Sequence, residues 1–327
     1  MITIFRDKSI LTIFSLIAIC LVTHLHIFFT PVEIYTTTKS GIISDILDKY
    51  IVSIPAFIIN VLYIFIILIQ SIRLNIILNN HKLFSKSGFT TALAFILFTG
   101  LFTNAYEFSA ALIANSLIIW IFSFSIKLYN HSSPKALLFN LGLLGSCSIL
   151  LFKPLALITI GLLFALLILR AFKLVEWLIF ILGLITPFYL LLSFLYLNNN
   201  LEYIQNFIPN FHFQFQLEQD PWYYFTLSTI ILFALSGLIT WYPNSNRMVI
   251  QSRKSWGVIL IFFILALFGV LFINHQKFHT EILCLVPLAA FVSNFLLYPS
   301  KKILINFFLI IIAIIVAHKN MLLIMGN

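Results

Sequence analysis

The sequence predicts an all-α, polytopic bundle of transmembrane helices, and three observations carry that prediction. Of the 327 residues, 61% are apolar and 9% charged, with a mean hydropathy of +1.08, against about 45–50% apolar and about 25% charged in a soluble domain. Apolar runs recur along the whole chain at close to the roughly 20 residues needed to cross a bilayer. The basic residues between those runs alternate from loop to loop. Too few charges remain to cover a water-facing surface, and no polar half could fold as a separate soluble domain. Soluble-enzyme, DNA-binding and secreted disulfide classes are therefore excluded.

Reading runs between charged or turn-forming clusters gives about eleven spans. They are Ile10–Phe29, Ile51–Ile72, Phe89–Thr103, Phe108–Ile126, Ala136–Phe152, Leu155–Leu169, Leu174–Leu197, Tyr223–Tyr242, Trp256–Ile273, Ile282–Tyr298 and Ile303–Ala317. The first run exceeds a signal-peptide core of about 7–15 residues and no A-x-A-like site follows it, so it reads as an uncleaved helix. With a cytoplasmic N-terminus, 14 of the 19 Lys and Arg fall in cytoplasmic loops, as the positive-inside rule requires. The expected location is a bacterial inner (cytoplasmic) membrane, with residues 1–327 forming one integral membrane domain. The net charge of +9 comes from bases scattered in ones to threes, so nucleic acid is not an expected partner. Cys20, Cys147 and Cys284 all lie inside apolar runs, which argues against a disulfide framework or a zinc site. No metal and no cofactor is expected.

Two outer loops are long. In Pro31–Tyr50, Ile42, Ile43, Ile46, Leu47 and Tyr50 recur at helical spacing against Ser44, Asp45, Asp48 and Lys49. That pattern reads as an amphipathic helix in the outer interface, or as a ramp into the second span. The loop Asn198–Trp222 has no Lys or Arg and combines His212, Glu218, Asp220 and Trp222 with several phenylalanines. Aromatic faces beside carboxylates suit a sugar or a lipid headgroup; an aromatic interface belt is the alternative.

A charge at membrane depth is costly and marks function. Lys153, in Leu151-Phe-Lys-Pro154, sits at the outer tip of a tight hairpin between two short helices. There it would hold a phosphate or extend to the interface. Glu33, just past the first span, and Glu107, in the next outer turn, are candidates to converge with it on one outer cleft. His24 and His26 on one helix would point about 200° apart and could not chelate together. His275 and His279 have i,i+4 spacing without a supporting cluster. No Gly-rich phosphate loop, nucleophile elbow or Walker sequence is present.

The stretch Asn104-Ala-Tyr-Glu-Phe-Ser, then Asn140-Leu-Gly-Leu-Leu-Gly145, Leu151-Phe-Lys-Pro154, Arg170-Ala-Phe, Glu176-Trp177 and Gly183-Leu-Ile-Thr-Pro187 resembles an uncharacterised Bacteroidota family of multi-pass inner-membrane proteins. More distantly, its outer acids and its glycine-containing helix before a lysine-tipped hairpin resemble the GT-C membrane glycosyltransferases. It lacks their acid pair after the first span and their soluble extracytoplasmic domain. The resemblance implies binding of, or action on, a polyprenyl-phosphate-linked glycan in envelope biogenesis, by a GT-C-like glycosyltransferase or an inactive relative. It implies Glu33 as catalytic base with Glu107 next, and Lys153 on the lipid phosphate. His212, Glu218, Asp220 and Trp222 then belong to the substrate-binding side. The expected partners are the lipid bilayer, a polyprenyl-phosphate glycolipid and other envelope membrane proteins. A non-catalytic subunit or scaffold of an envelope-assembly complex is the alternative, and a small-solute transporter using Asn60, Asn115 and Asn294 the third reading.

Overall fold

The computed structural model describes residues 2–6, 9–36, 40–199, 220–273, 279–298 and 302–325. After a helical turn at Ile2–Phe5, the helices are α1 (Ile10–Thr23), α2 (Ile42–Ile51), α3 (Ala56–Asn80), α4 (Thr90–Thr99), α5 (Ala110–Lys127) and α6 (Lys135–Leu151). There follow α7 (Leu155–Leu169), α8 (Leu174–Leu197), α9 (Pro221–Ser245), α10 (Ile250–Phe272), α11 (Leu285–Leu297) and α12 (Lys302–Met325). Two-residue strands β1 (Ile34–Tyr35) and β2 (Phe108–Ser109) pair in parallel. The architecture is that of an all-α, multi-pass membrane protein.

Local chemistry explains the boundaries. Ser9 and Ser109 cap α1 and α5, their hydroxyls accepting from the backbone N–H of Thr12 and Leu112 at 3.3 Å, which satisfies a donor that the first helical turn leaves without a partner. Asp220 caps α9, with Pro221 at its first position. Between α6 and α7, Pro154 pushes Lys153 away from helical geometry, and Phe152 is extended.

Among the described residues, seven helices are long and apolar enough to cross a membrane, and α1, α4, α6 and α7 are shorter apolar helices of 10–17 residues. Against the expected eleven spans, seven helices have the length to cross and the other four runs form shorter helices. Hydropathy overestimates two of these four, Ile10–Phe29 and Phe89–Thr103, because it cannot see where a helix stops. The apolar run Ile10–Phe29 breaks at His24 and continues as a 3₁₀ turn, Leu25–Phe28. Ile282–Tyr298 likewise begins with a 3₁₀ turn, Thr280–Cys284.

Helix α11 is the axis of the bundle: its segment is 94% buried, packed by α4, α9 and α10. Phe291 on it meets Trp241, Trp256 and Phe263 at ring distances of 5.3–5.8 Å. Backbones approach closely where glycine allows it, as expected for helices whose partner surface is no more apolar than lipid. A methyl group on Gly237 would lie 2.7 Å from the Phe291 backbone. At the α6–α8 crossing, a methyl on Gly142 would lie 2.3 Å from the Phe180 carbonyl, and one on Gly183 2.3 Å from that of Phe139. This crossing holds a helix that otherwise buries little, since only 11% of the α8 segment is buried.

Polar contacts sort the connections into two ends. At one, Arg6 donates to the Leu296 carbonyl at 2.8 Å, the Ser85 N–H to the Tyr298 hydroxyl at 2.9 Å and Trp256 Nε1 to the Leu83 carbonyl at 3.1 Å. Arg170 grips Glu176 there through two contacts of 2.7 and 3.0 Å. At the opposite end lie β1, β2, α2, the Lys153 hairpin and the Thr280–Cys284 turn. Substituting Gly142→Ala or Gly183→Ala should cost about 1–3 kcal/mol each, read as a lower Tm in detergent. The double variant should cost less than the sum, because both substitutions force apart one crossing.

Candidate functional site

The site is assembled by the smallest sheet possible. Ile34 pairs with Phe108 and Tyr35 with Ser109, and the Phe108 N–H donates to the Glu33 carbonyl at 2.8 Å. Glu33 and Glu107 each precede the paired residues, so the parallel register sets them side by side although 74 positions separate them. The loop before β1 is clamped by Asn60, which accepts from the Val32 N–H at 3.0 Å and donates to the Ile27 carbonyl at 3.1 Å. Asn60 is thereby occupied in holding this loop.

His279 completes the cluster. Its backbone is left-handed, with φ 50°, its ring stacks on Tyr35 at 3.9 Å, and its Nδ1 lies 3.6 Å from Glu107 Oε2. The two side chains are 4% and 27% exposed, and neither of those two atoms has a hydrogen-bond partner. Burial, reinforced by the Glu33 carboxylate, pushes the Glu107 carboxyl up to about 7, while burial lowers His279 to about 4. Near neutral pH the pair is a half-protonated acid beside a neutral imidazole, not a fixed ion pair. A carboxyl poised at the ambient pH can exchange its proton in either direction.

Beyond the Thr280–Cys284 turn lies a cavity of about 720 Å³, bounded by α9, α10, α11 and α12. Its mouth is polar, formed by Asp220, Trp222, Glu281, His318 and Lys319, and its walls are apolar down to Leu238. Trp222 and His318 stack at 3.7 Å, 16° from parallel, and the Lys319 ammonium donates to the Leu101 carbonyl. Neighbouring Asn320 fastens this stretch of α12 to the end of α1. It donates to the Thr23 carbonyl at 2.9 Å, and its Oδ1 accepts from the His26 N–H at 2.9 Å and lies 3.2 Å from His26 Nδ1.

The candidate residues therefore divide. Glu33 and Glu107 come together; Asp220 and Trp222 line the cavity on the far side of the Thr280–Cys284 turn. Lys153 lies at the same end, 8% exposed, its N–H donating to the Ser40 carbonyl at 2.8 Å, and Leu151 of its hairpin shares a small hollow with Phe108 and Ser109. There α2 rests with Ser44 buried and Ile43, Ile46 and Tyr50 exposed. Gly41 is required beside it, since a methyl would meet the Leu151 carbonyl at 2.3 Å. His212, Glu218 and His275 lie outside the described residues. The expectation that His24 and His26 diverge is corrected: α1 ends at Thr23, and their rings meet at 6.2 Å. His24 Nδ1 lies 3.0 Å from the Tyr63 hydroxyl, which donates to the Ala105 carbonyl at 2.6 Å. Among the described residues no group of three or more His, Cys, Asp or Glu is arranged to hold a metal ion. Sequence reasoning missed Tyr35, Glu281, His318 and Lys319 as site residues; for His279 the only signal was a histidine spacing that suggests chelation.

Stability should report the Glu107–His279 pair through opposing pH limbs. The folded state holds the Glu107 proton more tightly than the unfolded chain, so its contribution falls as pH rises from about 4.5 to about 7. His279 binds its proton less tightly when folded, so its contribution rises from about pH 4 to about 6.5. Glu107→Gln should therefore leave a Tm that climbs through pH 5–6.5, and His279→Asn a Tm that falls over that range. Parallel profiles in a thermal melt series would contradict the assignment.

No match was found among curated proteins or among solved structures. A family model does match, over residues 22–324, nearly the whole chain including both clusters. The chain belongs to DUF6427, a family of unknown function.

Proposed function

We propose that this is a bacterial inner-membrane protein of envelope biogenesis that binds, or acts on, a polyprenyl-phosphate-linked glycan at the outer face. The observation that carries the reading is the Glu33–Glu107–His279 cluster, a buried acid poised near neutrality at the end of a bundle of apolar helices. In this proposal the N-terminus is cytoplasmic and the four short helices also pass from end to end, giving eleven passes in a GT-C-like arrangement. The alternation of connections between the two ends supports that count. So does the gathering of Arg6, Lys82, Lys86 and Arg170, with Lys254 in the first turns of α10, at the end opposite Glu107, which suits the cytoplasmic side.

As a glycosyl transfer, the step balances simply. Glu107 accepts the proton of an acceptor hydroxyl while that oxygen bonds to the anomeric carbon. The bond from that carbon to the phosphate oxygen breaks, and its electron pair leaves on the polyprenyl phosphate. Glu33 beside Glu107 keeps the base strong, which moves the leading role from Glu33 to Glu107. Lys153 would neutralise the departing phosphate. A second reading, a non-catalytic subunit or scaffold, is favoured by α8, which leans on α6 and exposes most of its length.

In the native host, Glu107→Gln and Glu33→Gln should each lower the affected lipid-linked glycan by roughly 100-fold or more, measured by mass spectrometry, at unchanged protein level. Wild-type glycan output from both variants would overturn the catalytic reading. Loss of a co-purifying membrane protein when the exposed face of α8 is substituted, with glycans intact, would move the assignment to the scaffold.

A further inference from the structure

The cavity between α9, α10, α11 and α12 is a separate feature from the acid pair, because the Thr280–Cys284 turn stands between them. His279, at the start of that turn, faces Glu107, whereas Glu281, two residues on, lines the cavity. At about 720 Å³ the cavity is of ligand-binding size. Its lining on α9 extends from Trp222 to Leu238, about 24 Å at 1.5 Å per residue, a large part of a hydrocarbon core of about 30 Å. A site this long, walled by Ile230, Leu235, Phe263, Leu267 and Ile315, fits an extended aliphatic chain rather than a compact solute.

The mouth states which headgroup belongs to that chain. It offers one ammonium, Lys319, and two carboxylates, Asp220 and Glu281, beside the stacked Trp222 and His318. A diphosphate would bring at least two further negative charges against the two carboxylates, a repulsion that one lysine cannot offset. A headgroup with one phosphate and one primary amine matches the mouth charge by charge. The phosphate meets the lysine, and the amine presents three N–H donors to two acceptor carboxylates. A quaternary amine has no N–H to donate to them.

We propose that this cavity holds one chain of a zwitterionic, primary-amine phospholipid, with its phosphate on Lys319 and its amine between Asp220 and Glu281. The site stands independently of the reaction proposed for Glu107. It supplies that end of the bundle with a bound membrane lipid whose headgroup sits one helical turn from the acid pair.

The test is native mass spectrometry of the full chain, delipidated and then titrated with phosphatidylethanolamine, phosphatidylglycerol, phosphatidylcholine or undecaprenyl phosphate. Phosphatidylethanolamine should bind at one equivalent and at least tenfold tighter than the other three. Lys319→Met and Asp220→Asn should each weaken it by about tenfold or more. Ala234→Trp, which fills the cavity without touching the mouth or Leu101, should abolish one-equivalent binding at unchanged Tm. Equal or tighter binding of phosphatidylglycerol or undecaprenyl phosphate would overturn the headgroup assignment. Undiminished phosphatidylethanolamine binding by Ala234→Trp would overturn the cavity itself. Neither result touches the glycan phenotype of Glu107→Gln, so this proposal and the glycolipid reading fail separately.

Discussion

One backbone hydrogen bond, from the Phe108 N–H to the Glu33 carbonyl at 2.8 Å, fixes the geometry on which the candidate site depends. It belongs to a parallel pairing of only two residues per strand, too short to be stable alone. The pairing persists because both strands are held from outside. Asn60 clamps the chain before β1, and the capped start of α5 follows β2 directly. Parallel strands keep neighbouring side chains on one face, so the same bond that joins two loops forces Glu33 and Glu107 together. The repulsion cannot be relieved by register, because sliding one strand by a residue would turn every paired side chain to the other face.

The cost of that arrangement falls on Glu107. A buried carboxyl oxygen without a hydrogen-bond partner loses its hydration with nothing in return, and the carboxyl answers by keeping its proton to higher pH. His279 could have relieved it as an imidazolium. Its own burial holds it neutral instead, 3.6 Å away. A purely structural site would be expected to pair these groups closely. A pair held just apart, beside a stacked ring on a left-handed backbone, has the loose geometry that catalytic groups show before substrate closes the gap.

Much of the fold was legible and much of the site was not, for one physical reason. Apolar length is a local property, so each long helix could be read from its own residues, as could α2 from the spacing of Ile43, Ile46 and Tyr50. Helix ends depend on what the chain packs against. Nothing in Ile10–Phe29 announces that His24 leaves the helix to meet Tyr63 at 5.2 Å between rings. The site is less local still. Glu33 and Glu107 stood out as outer acids, but their adjacency rests on a pairing with no sequence signature. Lys319 reads as an outside base near the chain end, whereas Asn320, by gripping Thr23 and His26, places it at the cavity mouth. Lys153 shows the limit of the local reading: its hairpin was visible in the sequence, its backbone bond to Ser40 was not.

The Thr280–Cys284 turn positions both clusters while keeping them apart. It is the entry to α11, the most buried helix of the bundle, so its backbone has little freedom to move without disturbing the core. His279 and Glu281 are carried on it in opposite service, one toward Glu107 and the other toward the cavity mouth. Phe102 lines the cavity and begins the chain segment that leads directly to Glu107, so a second short segment borders both sites. The two sites thus share two short backbone segments as scaffold, while the poise of Glu107 is set on its own side of the turn, by its burial and by Glu33.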